Sequence, residues 1–192
     1  MAAVYAEIDK PIKQLSPLET AYDKGLLVIE SSLVNFASVL LGQDVPYKAA
    51  RVIAKGMKDV VVEKNARNLT LLGDAWMAAK EYDKAIVIMA KAAKTSGKGD
   101  DYYKLAQNYR AREEWKDALH SVNEALKDDA LKARHEARSL KGMVLFRLKR
   151  FDAAEKVFAD IVADDPDDPI APKWLAHVQH ERKRFEYMAD VQ

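Results

Sequence analysis

Lys80-Glu81-Tyr82-Asp83-Lys84-Ala85 decides the fold, because its form recurs along the chain. Asp44-Val45-Pro46-Tyr47-Lys48-Ala49-Ala50, Glu113-Glu114-Trp115-Lys116-Asp117-Ala118 and Lys149-Arg150-Phe151-Asp152-Ala153-Ala154 share that form. Each has a polar approach, one aromatic ring, mostly polar positions and then a small alanine. The rings at 47, 82, 115 and 151 stand 35, 33 and 36 residues apart. A period of about 34 residues is the signature of a solenoid of helical hairpins. No sustained alternation of apolar and polar residues competes with it, so no strand is expected.

Working outward from these phrases, paired helices are expected at 30–41 and 46–58, 66–79 and 82–95, 100–112 and 115–128, and 132–148 and 151–164. Gly42 ends one first helix, and Pro46 opens its partner, where a missing N–H costs little. Small residues stand twelve apart at Gly73 and Ala85, Ala106 and Ala118, and Gly142 and Ala154. That spacing is read as the point where the two backbones of a hairpin cross. Lys141 stands where a leucine is expected before Gly142, so Leu140 and Val144 are expected to take over its packing. A last helix over 170–187, within a region 169–189, carries one apolar stripe and one polar face, as a terminal cap requires. The whole chain, 1–192, is read as one array.

Upstream of the first full hairpin, Lys10–Lys24 reads as the second helix of a broken repeat, with Gly25 as its C-cap. Pro17 either kinks that helix or marks a later start, with Ser16 as N-cap and Glu19 completing a capping box. Pro11 holds the place in the period 36 residues before Tyr47. Ala2 and Tyr5 then fall in the latter half of a first helix whose beginning is missing. The expectation is a fragment, about 1–25 being a truncated repeat, cut from a longer protein.

Composition narrows the function classes. The chain has 31 Lys and Arg against 30 Asp and Glu, for a net charge of +1. That balance offers no footprint for nucleic acid. No apolar run reaches membrane-spanning length, so direct membrane insertion is not expected. There are no cysteines, which excludes disulfides and thiolate-bound metal. His177 and His180 do not form a zinc motif. Asp164-Asp165-Pro166-Asp167-Asp168 lacks the alternating ligands and central glycine of a calcium loop. It reads instead as a turn in which Asp168 caps the next helix and Pro169 opens it. No nucleophile elbow or glycine-rich phosphate loop is present. No enzyme, metal or cofactor is expected.

Leu69, Leu72, Gly73, Trp76, Tyr82, Ala85, Met89 and Ala92 resemble the tetratricopeptide repeat consensus, and Pro166 falls at its proline position. The resemblance implies an all-α, right-handed superhelical solenoid of antiparallel hairpins. Its first helices would line a concave groove that binds peptides or proteins without catalysis. A closer resemblance runs from Val45-Pro46-Tyr47-Lys48 through Glu63-Lys64-Asn65-Ala66-Arg67-Asn68-Leu69 to Lys80-Glu81-Tyr82-Asp83-Lys84-Ala85-Ile86. It is similar to tetratricopeptide proteins encoded beside TonB–ExbB–ExbD systems of Gram-negative bacteria. That likeness implies a periplasmic accessory of TonB-dependent transport, partnered by a component of that complex. The alternative location is the cytoplasm.

Aligning the hairpins puts Asn35, Thr70, Asp74, Met77, Tyr103, Gln107, Arg110, Met143, Phe146, Arg147, Lys173 and His177 on the concave face. Aromatic and methionine anchors among hydrogen-bonding and cationic groups suit a peptide. The competing reading is that some, Met77 and Phe146 above all, simply finish the core. Thr70, Asp74 and Lys104 occupy positions where the family's clamp for a C-terminal carboxylate needs Lys and Asn, so that clamp is absent. Two functions stand: a groove that captures a protein segment, or a structural spacer or self-association module with an empty groove.

Overall fold

The computed structural model describes residues 15–190, and among them every regular element is a helix. In chain order these are α1 (15–23), α2 (Glu30–Gly42), α3 (Pro46–Lys58), α4 (Ala66–Ala78), α5 (Tyr82–Ser96), α6 (Gly99–Ala111), α7 (Trp115–Leu126), α8 (Arg134–Arg147), α9 (Phe151–Asp164) and α10 (Ala171–Asp190). The expectations for Ala2, Tyr5 and Pro11 lie outside the described residues.

A repeated backbone device makes the four hairpins. Asp44, Lys80, Glu113 and Lys149 adopt left-handed φ values of 56°, 59°, 59° and 57°. The next residue in each case turns its N–H back to a first-helix carbonyl: Val45 to Leu40, Glu81 to Trp76, Glu114 to Tyr109 and Arg150 to Leu145, all at 2.9 Å. This is the Schellman closure, which satisfies carbonyls that a helix end leaves unpaired. None of the four is glycine, so each tolerates a conformation that costs roughly 1–2 kcal/mol for a residue with a Cβ. Gly42 does end α2, but the left-handed position belongs to Asp44 two residues later.

These torsions correct the repeat register. They stand 36, 33 and 36 residues apart, and the second helix begins two residues after each. Pro46, and not Tyr47, is therefore the counterpart of Tyr82, Trp115 and Phe151. Tyr47 is set one residue on and meets Trp76 edge-on at 5.6 Å, while Lys84 Nζ sits 4.6 Å from the Trp76 ring centre.

The close approach within a hairpin also differs from the expected crossing of small residues. Gly73 and Ala85 are both buried, yet a Cβ on Gly73 would lie 2.6 Å from Met89 Sδ. A Cβ on Gly142 would lie 2.6 Å from Phe158 Cε2. Each glycine makes room for the large side chain sixteen residues on, more than for the alanine twelve on. Leu140 and Val144 are buried, as the lysine at 141 requires.

The chain divides into two compact units, one up to Ser96 and one from Gly97. In the first, Leu33, Phe36, Leu40, Ile53, Leu69, Leu72 and Trp76 form the core between α2, α3, α4 and α5. Helix α1 lies on it through Leu15, Leu18 and Tyr22, and Gly25 closes α1 at φ 69°. Residue 15 is already helical and the Thr20 hydroxyl donates to the Ser16 carbonyl at 2.9 Å, so Ser16 is not an N-cap. In the second unit, Leu119, Val122, Leu140, Val144, Leu145, Phe158, Ile161 and Val178 form the core between α6 and α10. Phe158 stacks on Trp174 of α10 at 5.6 Å and 10°. Helix α10 buries Ala171 and Val178 but leaves Phe185, Tyr187 and Met188 exposed, so its far end carries apolar surface.

Candidate functional site

Helices α6 and α8 build a pocket in the second unit, about 230 Å³ in volume. Residues one helical turn apart share a face, so Tyr103, Gln107 and Arg110 descend one wall, and Glu136, Ser139, Leu140 and Met143 the other. Tyr103 and Met143 are half-buried against the core and Leu140 is buried, which gives an apolar floor. Arg110 and Glu136 are exposed and supply opposite charges at the rim. Burial pushes the Tyr103 phenol above its ordinary value; a hydrogen bond with Gln107 opposes this, the Glu136 carboxylate adds to it and Arg110 opposes it.

A loop closes the remaining side. Asp168 is buried, and one of its oxygens accepts from the Ile170 N–H at 2.8 Å and from the Ala171 N–H. The other meets His135 Nε2 at 2.7 Å. The backbone N–H of Ala171, then that of Ile170, then His135 hold the Asp168 carboxyl below its ordinary value. Asp168 is thus the expected cap, although Pro169 and Ile170 form a bend ahead of α10 and the helix opens at Ala171. The consequence is that Ile170, half exposed, is fixed at the lip of the pocket beside His135. With both its oxygens engaged, Asp168 serves as a clasp between α8 and α10.

Other expected groove residues gather elsewhere. Phe146 joins an aromatic cluster, 4.9 Å from the His177 ring and 5.7 Å from Trp174 and Phe151. It packs against the core, as the competing reading required, yet it is only partly buried. Arg147 lies with its guanidinium 4.7 Å from the Trp115 ring centre and 3.7 Å from the Glu113 carboxylate, at the α6–α7 turn. Lys173 is exposed on α10.

In the first unit, Thr70, Asp74 and Met77 share one face of α4, all partly exposed, and Met77 packs on the core. Asn35 is exposed on α2 and lines an open cleft of about 650 Å³ with Ser31, Val34, Ser38, Asn65 and Arg67. Asn68 organises the cleft's floor: it donates to Glu30 Oε1 at 2.8 Å and to the Glu63 carbonyl at 2.9 Å. Asn68, then the Glu63 N–H, hold the Glu30 carboxyl below its ordinary value.

Among the described residues no group of three His, Cys, Asp or Glu could hold a metal ion, and no helix is long and apolar enough to cross a membrane. His135, Glu136, Ser139 and Ile170 were absent from the sequence-based set. Ser139 and Glu136 lie one and two turns back along the Met143 stripe. His135 and Ile170 depend on the loop fixed by Asp168, which leaves no periodic trace.

Comparison with known proteins gives a consistent result. Residues 103–169 match the tetratricopeptide repeat family. No curated protein sequence matches the chain. The structure is similar to that of YrrB, described as a TPR protein with an unusual peptide-binding site, at 21% identity and TM-score 0.68, over 86% of this chain and 84% of that one. It is similar to MamA at 20% identity and TM-score 0.67, over 85% and 91% of the two chains. The second TPR domain of human RPAP3, solved with an HSP70 peptide, aligns at 14% identity and TM-score 0.53, over 60% of this chain and 98% of that one. The chain has the all-α hairpin fold of tetratricopeptide proteins, and its second unit contains the stretch that matches the repeat itself.

Proposed function

We propose that this chain is a non-enzymatic protein-interaction module whose second unit captures a peptide segment between α6 and α8. The observation that carries the reading is the pocket itself. A half-buried tyrosine and methionine over a leucine floor offer an anchor point for one large side chain, and Gln107, Arg110 and Glu136 fix a backbone beside it. Binding energy in such sites concentrates in a few well-packed anchors. That two similar structures are described with peptides supports the reading. We place the module in the periplasm as an accessory of TonB-dependent transport, on the resemblance of residues 45–86, with a TonB–ExbB–ExbD component as its partner.

The test is in-cell photo-crosslinking from position 103, with mass spectrometry of what is captured, followed by binding assays on Tyr103→Ala and Arg110→Glu. Both variants are expected to lose capture by about tenfold, the effect of one interface anchor, with melting lowered by no more than a few degrees. Equal capture by both variants and wild type overturns the site. Crosslinks only to cytosolic proteins overturn the location.

A second reading, self-association, is favoured by Phe185, Tyr187 and Met188, exposed on the last turns of α10. Patches of this kind mark interfaces. It predicts concentration-dependent oligomers in light scattering that Tyr187→Glu abolishes; a monomer at every concentration sinks it.

A further inference from the structure

The first unit has a groove on the face formed by its second helices. It runs between α3 and α5, over α4, with a volume of about 580 Å³, open to solvent. Met57, Leu72 and Ile88 are among its floor residues, and Lys58, Lys64 and Lys91 stand around it. No aspartate or glutamate lines it. Three other lysines of this unit are matched: Lys55 with Asp59 at 2.5 Å, Lys84 with Glu81 at 2.9 Å and Lys48 with Glu19 at 2.7 Å. Lys58, Lys64 and Lys91 are exposed, and none of their ammonium groups has a carboxylate partner among the described residues.

We infer that this groove docks an acidic amphipathic peptide segment, one in which glutamates or aspartates flank a large apolar side chain. Three uncompensated cations around one apolar trough present the complement of that pattern. The lysine stems extend the apolar walls while their heads stay in water, so an apolar side chain can reach the floor as its acidic neighbours meet the rim. Complementary charge of this kind steers encounter and selects partners more than it adds affinity. The chemistry disfavours nucleic acid. The named floor residues are aliphatic, without rings for bases to stack on, and the cations are lysines, without the planar fork that grips phosphate in two places. The groove is also too open to enclose a small ligand, which usually has most of its surface buried.

The experiment uses the full chain and a fluorescein-labelled peptide with two leucines between blocks of glutamate. Its counterpart with glutamine for every glutamate and vesicles of phosphatidylglycerol are the comparison probes. The glutamate peptide is expected to bind with an affinity that falls as salt rises, and the glutamine peptide about tenfold more weakly. The triple variant Lys58→Gln/Lys64→Gln/Lys91→Gln is expected to lose about tenfold in affinity for the glutamate peptide while keeping its helical circular dichroism. Arg110→Glu, in the other unit, should leave this binding unchanged, which separates the groove from the α6–α8 pocket. Equal binding of the two peptides, undiminished binding by the triple variant, preference for the vesicles, or no binding of the glutamate peptide each overturns the inference.

Discussion

In α4–α5 the residues sixteen apart that face each other are Gly73 and Met89; in α6–α7 the same positions hold Ala106 and Val122. The α8–α9 hairpin resembles the first, with Gly142 and Phe158, and α2–α3 the second, with Ala37 and Ile53. All eight are buried. A long side chain crosses toward the first helix and demands a glycine there; a shorter β-branched one leaves space for a methyl group. The repeat therefore specifies the combined volume of two positions, and neither residue alone. The two glycine hairpins also differ from one another. Met89 presents flexible thioether atoms to Gly73, whereas Phe158 presents a rigid ring held by its stack on Trp174.

The hardest blow to this comparison is Phe158→Ala. It empties the space Gly142 provides and removes the stacking partner of Trp174 at once. The expected loss is about 3–5 kcal/mol, measured by urea unfolding, with the 2–5 kcal/mol range for large-to-Ala changes in cores as the guide, roughly. A loss below about 1 kcal/mol, the scale of an exposed site, would mean that the pair is not a packing unit.

A finer break comes from alanine at the two glycines. Both substitutions gain about 1 kcal/mol of helix propensity. At Gly142 the new methyl meets a ring that cannot yield, and overpacking of about 1–3 kcal/mol outweighs the gain. At Gly73 the methionine can swing aside, so the net change is expected near zero, within about 1 kcal/mol. Adding Met89→Val to Gly73→Ala recreates the α6–α7 pair. The double variant should be more stable than the sum of its single changes, with a coupling of about 0.5–3 kcal/mol. Strict additivity removes the volume argument.

The same comparison shows what the sequence could and could not disclose. The bounds of the eight hairpin helices came through to within about two residues, because Pro46 and the three-to-four-residue apolar spacing each act locally, while the last helix runs three residues beyond its expected end at 187. The register of the first full hairpin did not. The feature that fixes it is a left-handed torsion, and Asp44, Lys80, Glu113 and Lys149 have no side chain in common, so the aromatic rings are the visible marker and Tyr47 stands one residue past the true position. At the candidate pocket, Tyr103, Gln107, Arg110 and Met143 lie on periodic faces and were legible. The His135–Asp168 contact joins residues 33 apart through a loop, and with it the placing of Ile170, which no helical period encodes.

The smallest effect tests how α1 is held. It packs through Leu15, Leu18 and Tyr22, and Glu19 adds an ion pair to Lys48 of α3 at 2.7 Å, with both side chains more than a third exposed. Such a pair contributes about 0.2–1 kcal/mol, since water screens it and two long side chains lose freedom to form it. Glu19→Ala should therefore cost no more than that, and the cost should vanish near 1 M salt, where screening acts within about 3 Å. Lys48→Ala should cost more than Glu19→Ala, because Lys48 Nζ also lies 5.9 Å from the Phe36 ring centre and its stem covers that part of the core. The excess is the share of the lysine's work done by its hydrocarbon, and it should survive high salt. If both losses disappear together in salt, α1 is held to α3 by charge, and the interior pairing of large with small stops at the helix pairs beyond it.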